Sequence, residues 1–350
     1  MRNLKLYSLL LALLLAISLI AGCAPANETP PAGAETQQTA QDTAASTPDS
    51  TGGVTVKDAE GNDVFIEEAP VNIVALPLWQ AEIVLSLIEA DRIAAVSSYF
   101  DSGALSAASD KAAQVAGRAH SEAEVILGFW PDLVLLDTFN DPDGSLKKSL
   151  EEAGVTVLVL ESPLDFEAIR ENVKTIADAL HASEKGEALI SEMDAVLDGV
   201  LEKVGTIAGD EKAGVMYYED YFDASGTSAG MLAAYGQGSP FNAICEAAGV
   251  INVCTAPDYS PISKEKVVAE WKPDVLIVPG IQFDENWTPV EDNGKAAKEA
   301  IENDEVMAGI EAVKQGRIYA LSEQYRGSTS HYMAYAVKEL AELCYPELFK

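Results

Sequence analysis

The sequence predicts an α/β protein of two similar lobes, each with a parallel sheet, joined by a single long α-helix with a ligand cleft between them. Three observations predict it. Two stretches repeat one pattern, Glu124-Val-Ile-Leu-Gly-Phe-Trp-Pro-Asp-Leu-Val-Leu-Leu and Glu265-Lys-Val-Val-Ala-Glu-Trp-Lys-Pro-Asp-Val-Leu-Ile-Val. In each, a glutamate opens a short helical run, Pro-Asp breaks it, and an apolar run follows that reads as a buried parallel strand. Short hydrophobic strands alternate with helical stretches through both halves, the rhythm of a sheet covered on both faces. Between the halves, residues 183–204 lack proline and place Leu189, Met193, Val196, Leu197, Val200 and Val204 at helical spacing. With 350 residues, 48% of them hydrophobic, the chain can fill two cores.

The first 22 residues read as a targeting segment. Arg2 and Lys5 form a basic start, residues 6–20 are apolar, and Ile20-Ala-Gly-Cys23 closes the run. At 15 residues the apolar run is short of the roughly 20 that span a bilayer. Small residues before a cysteine resemble the lipobox of bacterial lipoproteins, which implies cleavage before Cys23, its acylation (palmitate among the chains) and an extracytoplasmic protein lipid-anchored to the cell membrane. An uncleaved anchor is the alternative and leaves the rest on the same side. Residues 24–53, rich in Ala, Thr, Pro, Gln and Ser, are too polar to bury a core and read as a disordered tether from Cys23, roughly 100 Å at full extension.

The folded part begins with a hairpin over 54–66 around Glu60-Gly-Asn-Asp. An N-terminal lobe over 54–182 follows, with strands at 72–76, 92–96, 133–136 and 155–160 and helices at about 80–90, 121–130, 144–153 and 165–181. The linking helix takes 183–206, about 33 Å at 1.5 Å per residue over its first 22 residues. The C-terminal lobe, 207–350, has strands at 213–218, 275–278 and 317–321, and helices at 231–235, 241–248, 265–271, 294–303 and 330–344. Both lobes are Rossmann-like in this reading.

Charge and composition exclude several classes. The formal charge is −33; without Arg2 and Lys5, 21 basic residues face 56 acidic ones, a balance of −35 that repels nucleic acid. Beyond Cys23 three cysteines remain, and an odd number outside the cytoplasm allows one disulfide, with Cys245 and Cys344 on C-lobe helices the preferred pair. No Cys-x-x-Cys occurs and His120, His181 and His331 are scattered, which speaks against a directly bound zinc or manganese ion. The sequence holds no nucleophile elbow, phosphate loop or His-Glu-x-x-His, so it does not read as an enzyme and needs no cofactor.

Open α/β sheets bind ligands at the C-terminal ends of their strands. Those loops hold Trp79, Tyr99, Phe100 and Thr138 in the first lobe and Tyr217, Tyr221, Trp287 and Tyr325 in the second, an aromatic set suited to a bulky ligand. Arg118 and Arg326, one per lobe on an acidic chain, are expected to clamp anionic groups, as guanidinium forks do.

In order, Val54-Thr-Val-Lys-Asp-Ala-Glu-Gly, Asn72-Ile-Val-Ala-Leu-Pro-Leu-Trp-Gln-Ala-Glu-Ile, Glu124 with Trp-Pro-Asp-Leu-Val, Phe241-Asn-Ala-Ile-Cys-Glu-Ala-Ala-Gly-Val-Ile-Asn, and Glu265 with Lys-Pro-Asp-Val-Leu-Ile resemble the solute-binding lipoproteins of ABC importers for iron(III)-siderophores, haem and cobalamin. The resemblance covers about 54–350. It implies two lobes on a helical backbone, ligand capture in the cleft, delivery to an ABC permease with its ATPase, and a monomer. It also implies that one glutamate per lobe docks on permease arginines; the matching positions are Glu124 and Glu265, although Glu124 lies seven residues before Pro131 and Glu265 eight before Pro273. An iron(III)-siderophore chelate is the expected ligand. Haem, with Tyr99, Tyr217, Tyr218, Tyr221 or His331 as axial group, and cobalamin are the alternatives within the family. A surface or sensor lipoprotein without transport is the alternative outside it.

Overall fold

The computed structural model describes residues 52–220, 232–284 and 288–350. A hairpin of β1 (Val54–Lys57) and β2 (Asp63–Ile66) comes first. Its turn holds because Asp58 accepts from the backbone N–H groups of Glu60 and Asn62 and pairs with Lys147 at 2.8 Å, while Gly61 supplies the positive φ.

Strands β3 (Ile73–Ala75), β4 (Ile93–Ser97), β5 (Gly117–Ala119), β6 (Leu133–Asp137) and β7 (Thr156–Leu160) form a parallel sheet in the order β5-β4-β3-β6-β7. In the second lobe, β8 (Gly214–Tyr217), β9 (Ala233–Tyr235), β10 (Ile251–Asn252), β11 (Tyr259–Pro261), β12 (Val275–Val278), β13 (Ile281–Phe283), β14 (Pro289–Glu291) and β15 (Ile318–Ala320) follow in chain order. Of these, β10-β8-β12-β15 make a parallel sheet, while β9 with β11 and β13 with β14 form antiparallel pairs. Every residue of β3, β6, β8 and β12 is buried, as strands covered on both faces must be.

The burial sorts by face. Ile73, Leu133 and Leu135 on one sheet and Val215, Tyr217 and Ile277 on the other join a single core with the linking helix, whereas Val74, Val134 and Leu136 pack in a second cluster and Met216, Leu276 and Val278 in a third. The period-2 alternation of each strand thus assigns one face to a core shared by both sheets and the other to a local one.

The linking helix is Ser183–Val204, with Gly186, Leu189, Met193, Val200 and Val204 buried. It packs against helix Phe166–Ala179 on the first lobe and helix Met333–Cys344 on the second. A Cβ at Gly186 would stand 2.4 Å from that of Ala177, so the first contact requires glycine.

The repeated Pro-Asp has one structural job in both halves. Trp130 and Lys272, each just before the proline, take positive φ (54° and 46°) and end the helical run. The Asp132 carboxylate then accepts from the N–H groups of Val71 (2.8 Å) and Asn72 (3.1 Å) at the start of β3, and that of Asp274 accepts from Gly214 N–H (2.8 Å) at the start of β8.

Two expectations are corrected. Residues 233–235 of the stretch 231–235, expected to be helical, form strand β9, pinned by its pairing to β11; residue 231 lies outside the described residues. Cys245, Cys254 and Cys344 are all buried free thiols, so the preferred Cys245–Cys344 disulfide is not formed. Strand β5 was not legible, being three residues, Gly-Arg-Ala, on a sheet edge.

Candidate functional site: the cleft at the strand ends

In each sheet the strand order reverses beside its first strand, between β3 and β6 in one and between β8 and β12 in the other. A crevice opens at such a point beyond the C-terminal strand ends. Each crevice here is built around a buried carboxylate.

At the first, Asp137 ends β6 and accepts from the indole Nε1–H of Trp79 (3.1 Å), the hydroxyl of Ser162 (3.0 Å), and the N–H groups of Phe139 (3.1 Å) and Asn140 (2.8 Å). One side chain therefore ties together the loops after β3, β6 and β7. Trp79 is 5% exposed and acts through this bond, shaping the rim. Phe100 is core at 3%. The loops instead expose Tyr99 (64%), Thr138 and Phe139 (85%), and Leu164 in the loop after β7 is exposed too. Exposed rings on strand-end loops are costly in water and available to a solute.

At the second, Glu323 accepts from Gly280 N–H (3.0 Å) and Tyr217 Oη–H (3.3 Å) and pairs with Arg326, whose guanidinium lies over the rings of Tyr217 (4.6 Å) and Tyr235 (5.5 Å). Tyr217 is fully buried; Tyr325 is half-buried against Tyr335, ring centroids 5.3 Å apart. Glu219, just past β8, is buried and accepts from Tyr259 Oη–H at 2.8 Å. Burial pushes its carboxyl up, against the pull of Arg326.

The two arginines expected to clamp an anion are engaged within their own lobes. Arg118 pairs with Asp101 (2.7 Å) and donates to the carbonyls of Val115 (2.8 Å), Gly117 (3.0 Å) and Ala112 (3.4 Å). Arg326 is held by Glu323 and the tyrosine rings. A guanidinium matched to so many acceptors fixes loop geometry. Tyr221, Trp287 and Cys23 lie outside the described residues. Glu124 and Glu265 are both exposed in the first turn of a short helix, Ala123–Leu127 and Lys264–Lys266.

The lobes meet across a buried polar seam that sequence reasoning missed. Glu82, fully buried in helix Leu78–Leu87, accepts from Ser106 (2.5 Å) of its own lobe and from Ser330 (2.5 Å) and Ser328 of the other. Burial raises its carboxyl to about 7, against the lowering effect of the three hydroxyls. One turn on, Ser86 meets His331 Nε2 at 3.3 Å, and burial holds that imidazole neutral, down to about 3. The available signal was a charged residue inside Leu-Trp-Gln-Ala-Glu-Ile-Val-Leu, a helix apolar enough to be buried all round. Beside the seam, a recess of about 330 Å³ lies between Gly103 and Ala104 of the first lobe and Gly280, Leu321, Glu323 and Glu339 of the second. Among the described residues no three His, Cys, Asp or Glu side chains are grouped to hold a metal ion, and no helix is long and apolar enough to cross a membrane.

Comparison with known proteins agrees with this geometry. An ABC transporter substrate-binding lipoprotein of Bacillus subtilis strain 168, YvrC, itself uncharacterized, is 25% identical over 341 residues, 97% of each chain. The apo haem-binding protein RhuT of Roseiflexus sp. RS-1 superposes with TM-score 0.63 at 22% identity, over 79% of this chain and 98% of that one. The molybdate-binding protein MolA of Haemophilus influenzae does so with TM-score 0.66 at 19% identity, over 85% and 92%. These two likenesses speak for the fold. The periplasmic binding protein family matches residues 73–325, and with its two lobes of parallel sheet and its strand-end cleft the chain belongs to that family of binding proteins, not enzymes.

Proposed function

We propose that the chain is the extracytoplasmic solute-binding lipoprotein of an ABC importer, capturing an iron(III)-siderophore-type chelate between its lobes. The observation that carries the reading is the pair of exposed rings, Tyr99 and Phe139, on loops at the strand ends of the first lobe, next to the crevice held by Asp137. Such rings suit a bulky chelate with greasy faces. The Bacillus relative's name supports the transporter assignment. In this reading residues 1–22 are removed, Cys23 carries the lipid, 23–53 tether the monomeric receptor, and the two lobes flank the helix at 183–206.

Exposed Glu124 and Glu265, one on each lobe, dock on permease arginines as charge-assisted pairs. Trp79, Phe100, Arg118, Tyr217 and Arg326 support the binding surface from beneath. Thr138 and Tyr325 are further contacts in this reading, as are Tyr221 and Trp287, which lie outside the described residues.

Titrating intrinsic Trp and Tyr fluorescence with ferric siderophores, haem and cobalamin tests the reading. Saturable quenching by a ferric siderophore at micromolar concentration or below supports it; no quenching by any of them refutes it. Haem is the second reading, favoured by the exposed phenol of Tyr99, an oxygen of the kind that haem iron accepts. A Soret band on haem addition that Tyr99→Phe abolishes selects it.

A further inference from the structure

One buried carboxyl joins three segments that each carry part of the cleft. Glu82 lies one helical turn beyond Trp79, whose indole is bonded to Asp137 at the first crevice. Ser106, one of its donors, ends the stretch that carries the exposed ring of Tyr99. Ser328 and Ser330, its other two donors, follow Arg326, the partner of Glu323 at the second crevice. Glu82 and Ser330 are fully buried, and Ser106 and Ser328 nearly so. A partner that moved away would leave an unpaired group in a dry seam, so the three segments hold one another in place. Two further polar contacts between the lobes, Ser86 with His331 Nε2 (3.3 Å) and the Ser102 hydroxyl with Pro289 O (3.4 Å), are longer.

We propose that Glu82 is a positioning residue for the solute: its bonds to Ser106, Ser328 and Ser330 set the spacing between the strand-end loops of the two lobes, and the grip slackens as pH rises because an ionised carboxylate draws the seam open to water. This deepens the receptor reading and rests on it for the solute.

The sign follows from burial. A carboxylate with no counter-ion is costly in a dry interface, and burial accordingly raises the Glu82 carboxyl from 4.5 to about 7. The neutral carboxyl therefore favours the closed seam, fully below pH 4.5 and no longer once pH has risen through about 7. The surroundings do not reverse this. On its own helix Gln80 and Ser86 are neutral, and β3, β4 and helix Phe166–Ala179 bring apolar residues such as Ile73, Val96 and Val173 to the same core. Lys185 of the linking helix is bound to Leu87 O at the far end of the helix, and Lys111 bears on His331. From the second lobe come His331, held neutral by burial, Tyr332, and the Glu323–Arg326 pair, matched within itself.

The test compares the full folded chain with Glu82→Gln at pH 5 and pH 8, using a ferric trihydroxamate chelate, haem and cobalamin as probes. Fluorescence titration is expected to show the unmodified protein losing about fivefold or more in affinity between the two pH values and Glu82→Gln less than about twofold, since only closed molecules bind at full strength. Protonation of a probe affects both proteins alike and drops out of the comparison. Ser328→Ala with Ser330→Ala, which leaves Tyr99 and Phe139 in place, weakens binding at pH 5 as well. If that variant does not fold, Ser330→Ala alone carries the same comparison with a smaller shift. Hydrogen exchange reads the seam without solute: from pH 5 to pH 8 the amides at 78–87 and 327–332 lose protection relative to Glu82→Gln at the same pH. Equal pH dependence in the two proteins, in affinity or in seam exchange, overturns the positioning role and leaves the receptor reading standing. Binding of none of the three probes overturns the receptor reading, while pH-dependent seam exchange that Glu82→Gln abolishes still upholds the control of lobe spacing.

Discussion

Glu82 of the first lobe accepts a 2.5 Å hydrogen bond from the hydroxyl of Ser330 in the second, and the two residues are 248 positions apart in the chain. With Ser106 and Ser328 on the same carboxylate, the bond makes a buried acid part of the lobe interface. The groups facing it are neutral, namely the three serines, His331 and Tyr332, and the nearest charge that bears on His331 is Lys111.

A pH dependence of stability follows. The folded-state value of Glu82, about 7, lies above the ordinary 4.5, so its stabilising contribution is complete below 4.5 and is lost as pH rises through 7. The size is on the order of 3 kcal/mol. Thermal melts should fall between pH 5 and pH 8, and Glu82→Gln, a neutral isostere whose partner hydroxyls can donate or accept, should flatten that fall. An unchanged pH profile in Glu82→Gln would remove Glu82 from this role.

The matched aspartates predict a second result. Asp132→Ala and Asp274→Ala each leave strand-start N–H groups of β3 or β8 without their carboxylate, at a cost of about 1–3 kcal/mol by chemical denaturation. Both sites are at the opposite ends of the strands from the cleft, so chelate affinity should hold. Loss of affinity at full stability would contradict this division of labour.

Rim and support residues should separate in their effects. Tyr99→Ala with Phe139→Ala removes exposed rings, and should weaken solute binding about tenfold or more with the melting temperature nearly unchanged. Asp137→Ala frees three loops and the Trp79 indole at once, and should lower both affinity and melting temperature. Calorimetry of binding and of unfolding on the same samples checks both.

Charge reversal at the docking positions should spare binding. Glu124→Arg and Glu265→Arg alter exposed carboxylates, so solute affinity should stay within about twofold while solute-stimulated ATPase activity of the reconstituted transporter falls at least about tenfold. Full stimulation with both reversed would sink the docking role.

Much of the fold was legible because its signals are local. Apolar runs such as Leu133-Val-Leu-Leu and Val275-Leu-Ile-Val are buried on both faces and need no long-range information to be recognised. The proline-free amphipathic stretch became helix Ser183–Val204 for the same reason. Strand β9 was misread because Leu-Ala-Ala-Tyr has helical propensity, and its partner β11 arrives two dozen residues later. The site was less legible. Aromatic residues at strand ends were easy to find, but which of them face solvent depends on neighbours, and Tyr99 and Phe100 went opposite ways. Arg118 and Arg326 looked available because their partners, Asp101 and Glu323, could not be assigned before folding. The Glu82 seam joins segments distant in sequence, so only its improbable placement in an apolar helix announced it.

In the proposed function a metal chelate is gripped between the strand ends of the two lobes. Hydrogen exchange of the amides with and without saturating ferric chelate tests it most directly. Protection is expected in the segments at 76–80, 98–108, 138–144 and 279–284, with the strand starts near Asp132 and Asp274 unchanged. Protection at those strand starts, or none anywhere despite saturable binding, would contradict it.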